Sequence, residues 1–348
     1  MKVGIIRDRI YLEHKPPDYH PESSMRLEII YELLETNRKI KENQMLIEPR
    51  LATHDEVAMI HSRTYIEKVA ETSGLSHVML DPDTHTSSMS YKAALMAVGG
   101  ILNGVDAILE RKISRAFAFI RPPGHHAEKS RAMGFCIFNN VAIAANYLIE
   151  HYKLDRILIV DWDLHHGNGT QNAFYDDPHV LYFSTHQYPY YPGTGNITEC
   201  GANEGLGFTV NVPLPGGQSS GDFKKIFDKI LVPLCRGFKP QFILVSAGFD
   251  IHANDPLGTM KVTESGFVYL TSVLLNIAEK YCDNNILFLL EGGYHLESLK
   301  HSIESVVLEL IEENSALEAD CNMSETPFSE EIIRSVLHTH STYWLELC

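Results

Sequence analysis

At 348 residues the chain is too long for a minimal domain and fits one large α/β domain or two ordinary ones. Its 44% apolar and 21% charged residues are the proportions of a globular protein with a real core and exclude disorder across the whole chain. With 29 Lys and Arg against 45 Asp and Glu, the formal charge of −16 repels phosphate backbones. That argues against nucleic acid as a partner and favours cationic partners such as lysine-rich peptides or polyamines.

The first apolar stretch, within MKVGIIRDRIYLEHK, is too short for a signal-peptide core and is followed at once by charges. No run is read as approaching the ~18 apolar residues of a membrane span. The expectation is a cytoplasmic protein with no membrane partner. Cys136, Cys200, Cys235, Cys282, Cys321 and Cys348 form no CxxC pair, which suits free thiols in a reducing compartment.

Val3–Ile6 reads as a first strand. Leu27, Ile30, Tyr31 and Leu34 recur at helical spacing and mark an amphipathic helix. Five apolar runs, 116–120, 157–160, 180–183, 242–245 and 286–290, read as buried strands, with a further strand at 208–212. Helical patterns lie between them, near 141–149, 223–234 and 266–278. Runs apolar on both faces and alternating with helices predict a parallel sheet covered on both sides. No Gly/Ser- or Pro-rich linker precedes residue 312, so residues 1–348 read as a single domain. The segment 312–326 reads as a polar, acidic linker. Ser329 then caps a final helix with Ile332, Ile333, Val336 and Leu337 on one face. That helix is expected to pack on the same domain, with self-association into a homo-oligomer as the alternative.

Each of the five strands runs into a polar segment: RPPGHH at 121–126, DWDLHHGNG at 161–169, STH at 184–186, SAGFD at 246–250 and EGGY at 291–294. Ligands of open α/β sheets bind at the carboxyl ends of strands, so these segments should meet in one crevice. Asp163 and His165, two apart at a strand end, point the same way. With Asp250 they offer three ligands suited to zinc or ferrous iron, and three leave a coordination position open, as catalytic sites do. Of His125 and His126, one is a candidate proton shuttle. Its second nitrogen needs an orienting partner, for which Asp161 and Asn168 are the polar candidates. Tyr294, on the Gly292-Gly293 turn, is placed to donate to an oxyanion.

RPPGHHA (121–127), GFCIFNN (134–140), DWDLHHGNGTQ (161–171), SAGFD and EGGY resemble, in order, the motifs of the histone deacetylase and acetylpolyamine amidohydrolase superfamily. HPESSMR (20–26) is similar to its amino-terminal signature. The resemblance implies an arginase/deacetylase-like three-layer α/β fold with a central, mostly parallel sheet. It implies metal ligands Asp163, His165 and Asp250, His126 as general base and acid, and His125 as an electrostatic partner held by Asp161. Tyr294 would polarise the acyl carbonyl, and Phe135 and Tyr191 would wall a tunnel with Gly134, Leu257, Gly292 and Gly293. A structural K⁺ would be held through Asp161, Asp163, His165, Ser184 and Thr185. Asn168 departs from the aspartate of class I members, and HHGNGTQ looks like the class II pattern. The implied activity is zinc-dependent deacylation of a lysine side chain in a peptide or protein, or of a small amine. In polyamine-selective relatives a glutamate takes the place of Leu257.

Two rivals share the scaffold. A binuclear manganese ureohydrolase would want DxHxD, where Gly167 stands two positions after His165, and a second carboxylate where His252 follows Asp250. A non-catalytic acyl-lysine binding module would have lost ligands, the histidine pair or Tyr294, and all are present.

Overall fold

The computed structural model describes residues 2–312, 326 and 329–348. Among the described residues ten strands are formed: β1 Val3–Ile6, β2 Gln44–Ile47, β3 Val78–Asp81, β4 Thr84–Thr86, β5 Arg115–Ala118, β6 Ile157–Asp161, β7 Val180–Gln187, β8 Thr209–Leu214, β9 Phe242–Ala247 and β10 Ile286–Leu290. Eight of them build one sheet in the order β2-β1-β5-β10-β9-β6-β7-β8. Every pair within it is parallel. Parallel strands need crossover connections, and these put helices over the sheet. That is why β1, β5, β6, β9 and β10 are buried along their whole length.

Helices Ser90–Leu109 and Asn140–Glu150 pack on one another and against β5 and β6. Helices Met25–Thr36, Glu264–Tyr281 and Leu296–Glu312 form a second packed group on β1 and β9. The result is a central sheet between helical layers, as the sequence implies.

The five strands that carry the polar segments, β5, β10, β9, β6 and β7, are consecutive in the sheet. Asp161 is in register with Ser184 on one side and Ser246 on the other. The expected crevice is therefore the carboxyl edge of five adjacent strands.

Several boundaries differ from the sequence reading. Strand β7 continues through Ser184, Thr185 and His186, which pair with Asn211, Val212 and Pro213 of β8, so this polar segment lies inside the sheet. The run 223–234 is helix Ser220–Ile226, a wide turn at Phe227–Leu231 and helix Val232–Phe238. Helix Ser90–Leu109 has no counterpart in the sequence reading. It has 20 residues and a mean hydropathy of 1.4, long and apolar enough to cross a membrane, which corrects the expectation that no run approaches that length. Its window is 72% buried inside the protein, as befits a core helix. A Cβ at Gly99 would lie 2.1 Å from Arg50 O, so only glycine admits this close approach.

The final helix, Ser329–His340, packs on β8, with Ile333 and Val336 buried and Ile332 and Leu337 partly so. Its apolar face is thus covered by its own chain. The proposed linker at 312–326 lies almost wholly outside the described residues. Cys136, Cys200, Cys235, Cys282 and Cys348 are unpaired.

Candidate active site

Asp163, His165 and Asp250 meet at the end of β6 and β9. His165 Nδ1 lies 3.2 Å from both Asp163 Oδ1 and Asp250 Oδ2. The other oxygen of each carboxylate is held by backbone: Gly292 N–H donates to Asp163 Oδ2 at 2.8 Å and Leu164 N–H to Asp250 Oδ1 at 2.9 Å. Asp250 Oδ2 is buried and makes no aligned hydrogen bond. Ligands about 2.0–2.1 Å from a tetrahedral ion stand roughly 3.3 Å apart, so these three donors fit a divalent cation. Burial, with the charge of Asp163, raises Asp250 to about 7. Two buried carboxylates facing one imidazole are the arrangement that a cation neutralises. A Cβ on Gly292 would lie 2.2 Å from Asp250 Oδ2, so the EGGY turn reaches the ligands only because position 292 lacks a side chain.

The histidine pair separates by environment. His125 Nδ1–H donates to Asp161 Oδ2 at 3.0 Å, and Tyr182 Oη–H donates to the same oxygen at 3.0 Å. Burial disfavours the cation of His125, but the charges of Asp161, Asp163 and Glu291 outweigh it and raise the group to about 10. His126 Nδ1 lies within hydrogen-bond distance of Asn168 Oδ1, at 2.8 Å. Burial first, then the neighbouring His125 and His165, holds it well below its ordinary value. The two orienting partners that the sequence left open are thus Asp161 for His125 and Asn168 for His126. The two imidazoles are thus pushed in opposite directions, His125 towards its cation and His126 towards its neutral form, with ring centres 4.0 Å apart.

A cavity of about 200 Å³ opens above, lined by Gly134, Phe135, Tyr191, Leu257, Gly292 and Tyr294 together with His126 and His165. Tyr294 meets Phe135 edge to face, with centroids 6.0 Å apart at 87°. Tyr191 stands edge-on to His126 at 5.2 Å. Phe135 has φ +66, an unfavourable left-handed conformation for an aromatic residue, and follows Gly134 at φ +57. A Cβ at Gly134 would touch the His126 ring at 2.2 Å.

Gly293 is the exception to the expected tunnel. It faces Phe249 and Leu299 behind the turn, and its carbonyl accepts from Arg26 Nε at 2.7 Å. Sequence reasoning also missed Asp83 and Cys136 in the lining, and Asp255, whose Oδ2 accepts the Tyr294 N–H at 2.7 Å. Arg26 was part of a quoted motif without a role. Asp83 sits on the β3–β4 hairpin, which carried no signal.

Ser184 Oγ bonds to His186 Nδ1 at 2.9 Å, and Thr185 Oγ1 is buried without a hydrogen-bond partner. Neither reaches the cavity lining. His252 turns away from the ligands, its Nε2 3.4 Å from Glu264 Oε1, as the single-ion reading needs. Among the described residues one other group of potential ligands gathers, His125, Cys136 and Glu291. Its atoms are already engaged: Glu291 accepts from Gly124 N–H, His125 N–H and Ser246 Oγ, and the Cys136 thiol donates to Gly134 O at 3.2 Å.

The profile of the histone deacetylase domain matches residues 20–310. The chain belongs to the histone deacetylase family. A probable deacetylase of Archaeoglobus fulgidus is 40% identical over 298 residues, 85% of this chain and 82% of that protein. Histone deacetylase 14, chloroplastic, of Arabidopsis thaliana is 39% identical, over 85% of this chain and 74% of its own. The polyamine deacetylase HDAC10 of Danio rerio is 37% identical, over 92% of this chain and 48% of its own. The solved HDA15 HD domain superposes with a TM-score of 0.92 at 34% identity, covering 99% of this chain and 96% of that one. This histone deacetylase family member is accordingly an amide-cleaving hydrolase of the deacetylase type. A non-catalytic module is set aside.

Proposed function

We propose that this deacetylase removes acetyl or longer acyl groups from lysine side chains in a peptide or protein. The observation that carries the reading is that the donor atoms of Asp163, His165 and Asp250 gather beside a cavity lined by His165 itself, by a neutral His126 and by the Tyr294 phenol. A divalent ion held by those three side chains, zinc or ferrous iron, would supply a Lewis acid for the acyl carbonyl and lower the pKa of a neighbouring water.

The rest falls to the chain's own residues. His126 is kept neutral and presents Nε2 to the cavity. It takes the proton of the attacking water there and returns it to the departing amine. His125, held cationic by Asp161, offsets the negative charge that develops beside it. The Tyr294 phenol, kept protonated by burial, donates to the oxyanion. Phe135 and Tyr191 enclose the methylene stem and exclude water. A potassium ion beside Asp161, Asp163, His165, Ser184 and Thr185 belongs to the same reading, as do one catalytic domain over 1–348 and a cytoplasmic setting.

An acetylpolyamine is the second reading. It is favoured by the charge of −16 and by the likeness to a polyamine deacetylase. The test is release of carboxylic acids of different chain length from acyl-lysine peptides, with and without chelator. No release from any acyl-lysine peptide by the zinc-loaded protein would refute the proposal.

A further inference from the structure

A carboxylate stands behind the amide that holds His126. Asn168 Nδ2 donates to Glu128 Oε1 at 2.7 Å. Asn172, one turn along helix Asn168–Ala173, donates to the same oxygen at 3.1 Å. Glu128 itself is fixed by a tight turn: its N–H donates to Arg131 O at 2.9 Å, and its carbonyl accepts from His61 Nδ1 at 2.9 Å. The other atoms near Asn168 Nδ2 are weak partners, His126 O and Met133 Sδ, both at 3.4 Å.

An ionised carboxylate only accepts hydrogen bonds, so the amide of Asn168 must turn its NH₂ towards Glu128. Its oxygen then faces His126. That oxygen also only accepts, so the hydrogen of the neutral imidazole sits on Nδ1 and the lone pair on Nε2. With the amide reversed, NH₂ would meet Nδ1, the ring hydrogen would move to Nε2, and no lone pair would face the substrate.

We propose that Glu128 is a positioning residue that locks Asn168 in the orientation that fixes His126 as the Nδ1–H tautomer. The consequence for catalysis rests on the deacylase reading above; the tautomer does not. The same contact accounts for an amide rather than a carboxylate at position 168. An aspartate there would set an oxygen about 2.7 Å from Glu128 Oε1, and two like charges at that range are strongly unfavourable. An acid at 128 and an amide at 168 therefore form a unit.

The test uses the zinc-reconstituted full chain, ring ¹⁵N shifts of His126 (assigned with His126→Ala) and deacylation kinetics. Wild type and Glu128→Gln, whose amide oxygen still accepts, are expected to show the Nδ1–H form. Glu128→Ala is expected to show a mixed or Nε2–H ring, with kcat about tenfold lower and KM within about twofold, a fraction of what a proton shuttle contributes. Asn168→Asp is expected to cost at least about tenfold more with Glu128 present than in the Glu128→Gln background, a coupling that a cycle isolates. Glu128→Ala with wild-type tautomer and kcat, or independent effects in the cycle, overturns the proposal. Should Glu128→Ala not fold, the Gln and Asp variants still decide it. Should the wild type deacylate nothing, the deacylase reading fails, and the ring shifts alone judge Glu128.

Discussion

The guanidinium of Arg26 lies over the Tyr294 ring, 5.0 Å from its centre, while its Nε donates to Gly293 O at 2.7 Å and its Nη2 to Glu291 O. One buried cation from the first helix thus grips both the backbone of the EGGY turn and the face of the phenol. Arg26 is fully buried, as is Glu22, its partner at 3.4 Å.

Lysine cannot reproduce this planar fork. Arg26→Lys is expected to lower stability by about 2–4 kcal/mol, because carbonyls and a buried carboxylate lose donors. Turnover should fall by about tenfold or more as the Tyr294 ring loses its support, since small misplacements cost up to ~100-fold. Denaturant titration and steady-state kinetics on one preparation check both. Wild-type values for both would mean that the grip is incidental.

Glu22 also carries a pH dependence. Burial alone would raise its carboxyl, but Arg121 and then His14 hold it well below its ordinary 4.5. A folded value below the unfolded one means that its stabilisation is complete above pH 4.5 and is lost as pH falls through the folded value. Wild type should therefore lose stability more steeply than Glu22→Gln below pH 4.5, while being the more stable at pH 7. Parallel stability–pH curves for the two proteins would contradict this.

The fold and site were unequally legible in the sequence. Strand runs such as Ile286–Leu290 declare themselves because both faces are buried and every position is apolar. The short edge strand β2, exposed at Met45 and Leu46, offers no such pattern. The ligand set was readable because Asp163, His165 and Asp250 stand at strand ends. Arg26, Asp255 and Glu128 were not, because each acts through a backbone turn or another side chain. Gly293 was misplaced because the bend at φ +118 puts it behind Tyr294 rather than beside it.

Tyr294→Phe separates chemistry from metal binding. The phenol is not among the three donors, so metal analysis should give one divalent ion per chain before and after the change. Loss of one oxyanion donor costs about 10²–10³ in kcat. Two ions per active chain would favour a binuclear site, and near-full activity of the variant would remove Tyr294 from the assigned role.

Leu257 bears on substrate choice. It lines the cavity beside Tyr294 and is pinned at both ends: its N–H donates to Asp255 Oδ1 at 3.0 Å, and its carbonyl accepts from Tyr190 Oη at 2.8 Å. The Leu257 backbone is therefore fixed, and what a substrate meets there is an apolar side chain. A methylene stem suits that surface. The second ammonium of a polyamine would be desolvated against it, and the one carboxylate in the lining, Asp83, already accepts from Gly134 N–H and Thr84 Oγ1. The net charge of −16 attracts polyamines from afar, but salt screens that field over about 8 Å at physiological strength. The local contact should dominate, giving a higher kcat/KM for acyl-lysine peptides than for acetylspermidine or acetylputrescine. Leu257→Glu, on the same pinned backbone, should shift the ratio towards the polyamines by roughly tenfold or more, about the value of one partly buried ion pair. Both substrate series run on wild type and variant decide the matter. A wild-type preference for acetylpolyamines would overturn the substrate assignment, and an unchanged ratio in the variant would show that position 257 does not read the second amine.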